Sequence, residues 1–422
     1  MKNITDIKKS LEKIGLKSQN ASKVLINLST AQKNKALSSI ANEIQKDSKN
    51  ILNNNEKDIN NAKIKNLSVP LIDRLMLNEQ RIKDMVDGVR AIEKLSDPVG
   101  KEIKKWKRPN GLKISQIRVP IGVIGIIYES RPNVTADASA LSLKSGNTII
   151  LRGGSESFYS SNAIVKSIRK GLKKTAVPVE CVQMINTIDR KAVDVLLSMN
   201  NYIDLIIPRG GKSLVAKIQT NSKVPTLSHL DGLCHTYIDR DADIKKAVGI
   251  SINAKMRRTG ICGATETLLC HKDVKQTILP EVINSLSSAG CEIRGDKEVK
   301  KLSKVIISAN ERDWTTEYLD SIISVKIVSN VNEAITHIEK YGSNHTDSII
   351  TENNKTAELF LEKVNSAIVL HNASTQYADG GEFGMGAEMG IATGKLHARG
   401  PVGLEQLTTY KYQIRGKGQV RP

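Results

Sequence analysis

The sequence predicts an α/β chain with a doubly wound parallel sheet, a second α/β domain and a projecting β-hairpin. Three observations predict it. From residue 122 onward, short apolar runs alternate with amphipathic stretches, the pattern of a parallel sheet covered by helices on both faces. A second alternating series starts near Leu233, and 422 residues exceed what one core fills. Finally, Asn110-Gly111 stands between two extended stretches, a hairpin signal.

The elements follow in order. Residues 1–98 read as helices, because Ile7, Leu11, Ile14 and Leu16, then Leu37, Ile40, Ile44 and Ile51, recur at helical spacing. In residues 101–119 a crowd of lysines precedes Pro109-Asn110-Gly111 and the alternating Leu112–Ile117. A hairpin there leaves bare edges that need a partner strand, so an oligomerisation arm is expected. Next come strand Gly122–Tyr128, helix Val134–Lys144 closed by Gly146, strand Thr148–Leu151 and helix Ser157–Lys174. Strand Cys181–Ile185, helix Arg190–Met199, strand Ile203–Ile207 and helix Lys212–Gln219 complete this series. The second series, Leu233–Leu370, includes helix Ile244–Lys255 and strands Thr265–His271, Ser324–Val328 and Ser348–Thr351. Ligands of such sheets are expected beyond the carboxyl ends of the strands.

Composition narrows the function. A hydrophobic fraction of 39% and a charged fraction of 25% are those of a soluble globular protein. The longest apolar run, Val119–Tyr128, is about half of a membrane span. The first residues lack the apolar core of a signal peptide, so a cytoplasmic protein without a membrane partner is expected. A net charge of +19 favours anionic partners. Aromatics make up only 3% and the charge is scattered, which argues against nucleic acid and leaves small phosphorylated substrates. The five cysteines are odd in number and lack CxxC spacing, so neither a disulfide framework nor a metal site is expected.

No glycine-rich dinucleotide fingerprint is present, since Gly384-x-Gly386-x-x-x-Gly390 misses the spacing by one. Other segments carry chemistry. At a strand's carboxyl end, Asn133 either donates to an oxyanion or caps the following helix. Arg152-Gly153-Gly154-Ser155 joins a basic side chain and a hydroxyl to glycines that admit a ligand, or forms an ordinary turn. Gly210-Gly211 precedes a helix start whose amides can hold an anion. Cys262 lies among Gly260 and Gly263, shortly after Arg257-Arg258, and a nearby arginine favours the thiolate. Cys181 and Cys270, in apolar strands, read as core. A last glycine-rich stretch, 379–403, ends near Lys395 and Arg399 and suits a loop over an anion.

Three stretches together resemble the γ-glutamyl phosphate reductase family (glutamate-5-semialdehyde dehydrogenases) of the aldehyde dehydrogenase superfamily. They are Tyr128-Glu-Ser-Arg131-Pro-Asn133-Val-Thr, Asn253-Ala-Lys with Arg258-x-Gly260-x-Cys262, and Lys395-Leu-His-Ala-Arg399-Gly-Pro401 through Tyr410-Lys411. The resemblance covers nearly the whole chain. It implies an aldehyde dehydrogenase-like fold: an NADPH-binding domain at 1–232 with the 101–119 hairpin inserted, a catalytic domain at 233–390, and a return at 391–422. The implied reaction is NADPH-dependent reduction of L-glutamate 5-phosphate to the semialdehyde and phosphate, the second step of proline biosynthesis from glutamate. A separate glutamate 5-kinase follows, with transient contact between the two enzymes, and so does a homo-oligomer.

Residue by residue, the resemblance makes Cys262 the nucleophile and Asn133 the oxyanion donor. It gives Arg152, Gly153, Ser155, Gly210 and Glu317 to the cofactor, and Arg131, Arg258 and Arg399 to the substrate. Met256, Arg257 and Thr259 depart from the expected Thr, Gln and Pro before the cysteine. Leu227–Leu233 holds no glutamate, the base that an oxidising aldehyde dehydrogenase needs to hydrolyse its thioester. An oxidising enzyme for a small acidic aldehyde and a nucleic-acid-binding protein are the rival readings.

Overall fold

In the computed structural model, residues 4–421 are described. They pack as two compact units, the first taking in the chain up to Ser228 with Gly384–Gly390 and the stretch from Val402 onward. The second is His229–Phe383 with Ile391–Pro401.

The first unit opens with the helices α1 (Ile4–Leu25), α2 (Thr30–Lys46), α3 (Ser48–Ile64), α4 (Val69–Leu75) and α5 (Glu79–Lys94). Their buried stripes include Ile7 and Leu11 of α1 and Leu37, Ile40 and Ile44 of α2, the positions whose spacing marked them as helical. Ser29 and Gln32 start α2 with a capping box.

Next come β1 (Glu102–Lys107) and β2 (Lys113–Pro120), paired antiparallel around the Arg108–Leu112 turn. There Gly111 adopts φ 89°, which suits glycine. The hairpin is as expected, but one of its edges is satisfied within the chain. A strand at Thr408–Arg415 pairs with β2 along its whole length, from Thr408 opposite Pro120 to Arg415 opposite Lys113. The outer edge of β1 and that of the C-terminal strand have no strand partner among the described residues.

The central elements are β3 (Val123–Tyr128), α6 (Val134–Lys144), β4 (Thr148–Gly153), α7 (Phe158–Leu172), β5 (Val182–Met184), α8 (Lys191–Leu197), β6 (Leu205–Arg209) and α9 (Lys212–Asn221). The strands form a parallel sheet in the order β5-β4-β3-β6, so strand order reverses at β3. Helix α6 is buried along its length, which explains why it carries Ala and Ser where a surface helix carries charges. It ends in a Schellman motif. Asn147 N–H reaches Ser142 O at 2.8 Å, Gly146 N–H reaches Leu143 O at 3.1 Å, and Gly146 takes φ 77°.

The second unit runs β7 (Cys234–Ile238), α10 (Ile244–Met256), β8 (Thr265–His271), α11 (Leu279–Ser288), β9 (Glu292–Gly295), α12 (Lys297–Lys300), β10 (Ile307–Ser308), β11 (Ile322–Val328), α13 (Val331–Tyr341), β12 (Thr346–Ile350), α14 (Asn354–Lys363) and β13 (Ile368–His371). Its parallel sheet has the order β10-β9-β11-β8-β7-β12-β13. One core, with Leu268, Val282, Ile293 and Val325, lies against α10 and α11, and another, with Tyr237, Ile335 and Phe360, against α13 and α14. Residues 391–401, expected to return to the first domain, stay with the second unit. There β14 (Ile391–Ala392) pairs with β15 (Gly400–Pro401), and Ile391 is buried beside Ile368 and Ala378. The C-terminal strand is thus β16 (Thr408–Arg415).

Candidate active site

Helix α10 ends at Met256, and a turn closed by Ala264 N–H to Ile261 O (3.0 Å) delivers the chain into β8. Cys262 sits on that turn, half-buried. Three contacts hold the segment. The buried Gln376 donates from Nε2 to the carbonyls of Ala254 and Arg258, at 3.0 and 3.1 Å. Cys234 Sγ donates to the Cys262 carbonyl at 3.0 Å. Gly232 lies so close that a Cβ there would stand 2.3 Å from the same carbonyl oxygen, so a glycine is required. The unexpected Arg257 is accommodated by a bond from Nη1 to Gln376 Oε1.

Two histidines flank the sulfur. Sγ of Cys262 and one ring nitrogen each of His229 and His345 all lie within 4.8 Å of one another. The two imidazoles meet edge to face, with centroids 5.0 Å apart. His229 Nδ1 is 2.7 Å from the Ile391 carbonyl, which can only accept, so Nδ1 carries the proton and Nε2 is left for the thiol. His345, fully buried, sets its Nδ1 against Thr346 Oγ1 (2.9 Å) and Cys234 Sγ (3.6 Å).

These neighbours decide the charge on sulfur. Burial alone would raise the Cys262 thiol. The attraction of His345, with the hydrogen bond from His229, outweighs it and holds the thiol well below the usual cysteine range. Burial moves the other cysteines the opposite way: Cys181 and Cys270 to about 12, Cys291 to about 11, and Cys234 well up. Cys262 is therefore the most acidic thiol of the five.

The sequence assigns this task to Arg258, but in the structure that side chain is exposed and its carbonyl merely receives Gln376. The histidines take its place. The position of the site also differs from expectation. Cys234, Cys262 and His345 stand at the amino ends of β7, β8 and β12, not beyond carboxyl ends. Glu317 lies at the same loop, where its Oε1 accepts the Gly232 N–H at 3.0 Å. Burial first, then the Cys262 thiolate, push its carboxyl up. Arg399 is engaged within the second unit, clamping Asn365 through the side-chain oxygen at 2.8 Å and through the backbone carbonyl.

In the first unit Asn133 is exposed at the start of α6 and makes no capping bond. Its Nδ2 instead donates to Asp137 at 3.1 Å, a carboxyl pushed up to about 6 by burial. Arg131 is half-buried on the same turn. Gly210 precedes α9. Gly211 N–H donates to Glu129 at 3.0 Å.

Arg152 and Ser155 line a pocket of about 310 Å³ at the carboxyl ends of β3 and β4. Glu129, Glu156, Arg190 and Lys217 share it, so three cations border one cavity. Gly154 lines it too, where a Cβ would overlap the Glu156 carboxylate, and Gly153 ends β4 just before it. Arg152 donates to the carbonyls of Gly153 and Ile188, while its buried Nε lacks a partner. A phosphorylated nucleotide fits this chemistry. Sequence reading missed Arg190, Lys217, His229 and His345. His229 lies within Leu227–Leu233, and no spacing rule links it to His345.

A sequence model of the aldehyde dehydrogenase family matches residues 8–322. The chain is 53% identical over 418 residues to a γ-glutamyl phosphate reductase of Paramagnetospirillum magneticum, covering 99% of each. It is 52% identical to that of Rhodospirillum rubrum, covering 97% of this chain and 96% of the other. The crystal structure of a γ-glutamyl phosphate reductase from Thermotoga maritima superimposes with a TM-score of 0.96 at 46% identity, covering 98% of this chain and 100% of that one. An acetylating aldehyde dehydrogenase from Geobacillus thermoglucosidasius, at 16% identity and a TM-score of 0.69, shares the fold. With its parallel sheets, its cysteine thiolate and relatives matched end to end, the chain belongs to the γ-glutamyl phosphate reductase family of aldehyde dehydrogenases.

Proposed function

We propose that the chain reduces L-glutamate 5-phosphate to L-glutamate 5-semialdehyde and phosphate through a thioester on Cys262, with NADPH as reductant. The observation that carries this reading is the thiolate held by His229 and His345, in a chain whose relatives of this name match it over 99% of its length. The thiolate attacks the γ-carbonyl carbon, the bond from that carbon to the phosphate oxygen breaks, and phosphate leaves with the electron pair. Phosphate is a good leaving group, so no strong acid is required of the protein. When bound, the nicotinamide supplies the hydride that turns the thioester into a thiohemiacetal. Collapse then breaks the carbon–sulfur bond and returns the electron pair to Cys262. His345 and His229 favour the expelled thiolate by the same interactions that hold it in the resting enzyme. The test is the reverse reaction: semialdehyde should reduce NADP only when phosphate is present. Reduction that is indifferent to phosphate would instead identify an oxidising aldehyde dehydrogenase.

NADPH, rather than NADH, is supported by the cations Arg152, Arg190 and Lys217 around the first unit's pocket, where Ser155 adds a hydroxyl. Arg152→Ala is expected to raise the KM for NADPH about tenfold, the worth of one charge-assisted hydrogen bond, and that for NADH less. Equal changes for the two cofactors would show that Arg152 does not read the 2′-phosphate.

The setting we read for this reaction is the cytoplasm, beside a separate glutamate 5-kinase. No described helix is long and apolar enough to cross a membrane. The β1-β2-β16 sheet serves as the contact between copies. Its two outer edges have no strand partner among the described residues, and Tyr410, Tyr412 and Ile414 expose half or more of their surface there. Replacing residues 101–119 by a short Gly-Ser link should lower the molar mass seen by light scattering. An unchanged mass, or a native monomer, would remove this role.

A further inference from the structure

We infer that Cys262, His229 and His345 also form a site for Zn²⁺, and that the metal and the acyl substrate exclude one another. Three donors of the types zinc prefers, one sulfur and two imidazole nitrogens, lie within 4.8 Å of one another. In a tetrahedral zinc site such donors stand about 3.5 Å apart, so closure asks for about an ångström of side-chain movement.

Two further observations point to a cation rather than to a cysteine–histidine pair alone. The Nε2 of His345 is buried and has no hydrogen-bond partner, while Nδ1 of the same ring is occupied by Thr346 and Cys234. His229 is braced from behind, its Nδ1–H on the Ile391 carbonyl, the outer support by which metal-bound histidines are usually oriented. Ile368, Ala378 and Ile391 pack beside Cys262 and surround the donors with apolar surface. Cys262 and His229 are only half-buried, which leaves an approach for the ion and an open fourth position.

The consequence is competition for one electron pair. A sulfur bound to zinc cannot attack an acyl carbon, and a sulfur carrying a glutamyl group is a thioester and a poor ligand. Zinc would therefore cap the resting enzyme reversibly and shield it from alkylation and oxidation.

Metal-free enzyme titrated with ZnCl₂ in equilibrium dialysis should bind one ion per chain, released by EDTA. Bound Zn²⁺ should block iodoacetamide labelling of Cys262. Co²⁺ in its place should show a thiolate charge-transfer band and the visible absorption of a tetrahedral site. His229→Ala and Cys262→Ser should each weaken binding at least tenfold. The inference is overturned if the wild type binds no stoichiometric Zn²⁺ at micromolar concentration, or if both variants bind as well as the wild type. It shares Cys262 with the function proposed above, and labelling of the metal-free enzyme separates the two. Cys262 that alkylates readily at neutral pH but takes no zinc refutes only the metal site. Cys262 that resists alkylation refutes the thiolate itself.

Discussion

Cys262→Ser is expected to lower turnover by at least about a thousandfold, a barrier increase of about 4 kcal/mol, while NADPH still binds. The loss follows from what surrounds the sulfur. His229 and His345 hold the thiol well below the usual cysteine range, but a serine hydroxyl, with a far higher pKa, stays protonated beside the same rings. The pocket proposed for the nucleotide lies around Arg152 and Ser155 in the other unit and loses nothing. Alanine at Cys181, Cys270 or Cys291, whose thiols burial keeps protonated, should leave most of the rate. Cys234→Ala should cost a part of it, because that thiol braces the Cys262 carbonyl. Steady-state rates beside a nucleotide-binding titration decide the matter. A serine variant with substantial turnover would end the acyl-enzyme mechanism.

The second large effect concerns the histidines. With His345 replaced by Gln, the sulfur loses its strongest attraction while the burial that opposes ionisation remains, so its pKa must rise. Iodoacetamide, which reacts with the thiolate, measures this directly. The wild type should label at a rate nearly constant across neutral pH and slowing only in acid. The variant should label about a hundredfold more slowly at pH 7 and speed up as the pH climbs into the alkaline range. His345 is fully buried, so His229→Ala, at a half-buried position, serves as the companion and should shift the profile the same way by less. Profiles that coincide with the wild type's would show that neither ring controls the charge on sulfur.

Much of this architecture was legible in the chain. Val134–Lys144 and Thr265–His271 are bounded in the structure where the pattern bounded them, because a glycine-closed helix and an uninterrupted apolar strand carry their limits in local sequence. Cys262 could be singled out because glycines and a preceding basic pair mark an accessible turn. Its chemistry could not be read the same way. The charges that act on it come from the approaches to two other strands, β7 and β12, and parallel pairing in one sheet aligns them. Arg258 was nearer in sequence yet points its side chain outward. The partner of β2 was hidden for a similar reason, since nothing near Asn110-Gly111 signals a strand at Thr408–Arg415.

That late strand has a consequence for how the protein is made. Arg118 and Thr408, whose side chains are hydrogen-bonded at 3.1 Å, are 290 positions apart in the chain. A ribosome takes about 15–60 s to cover such a distance. Throughout that time β2 has left the exit tunnel with β1 on one side and nothing on the other. The nascent hairpin therefore keeps one edge of β2 unpaired for the whole of the second unit's synthesis, until β16 emerges to cover it.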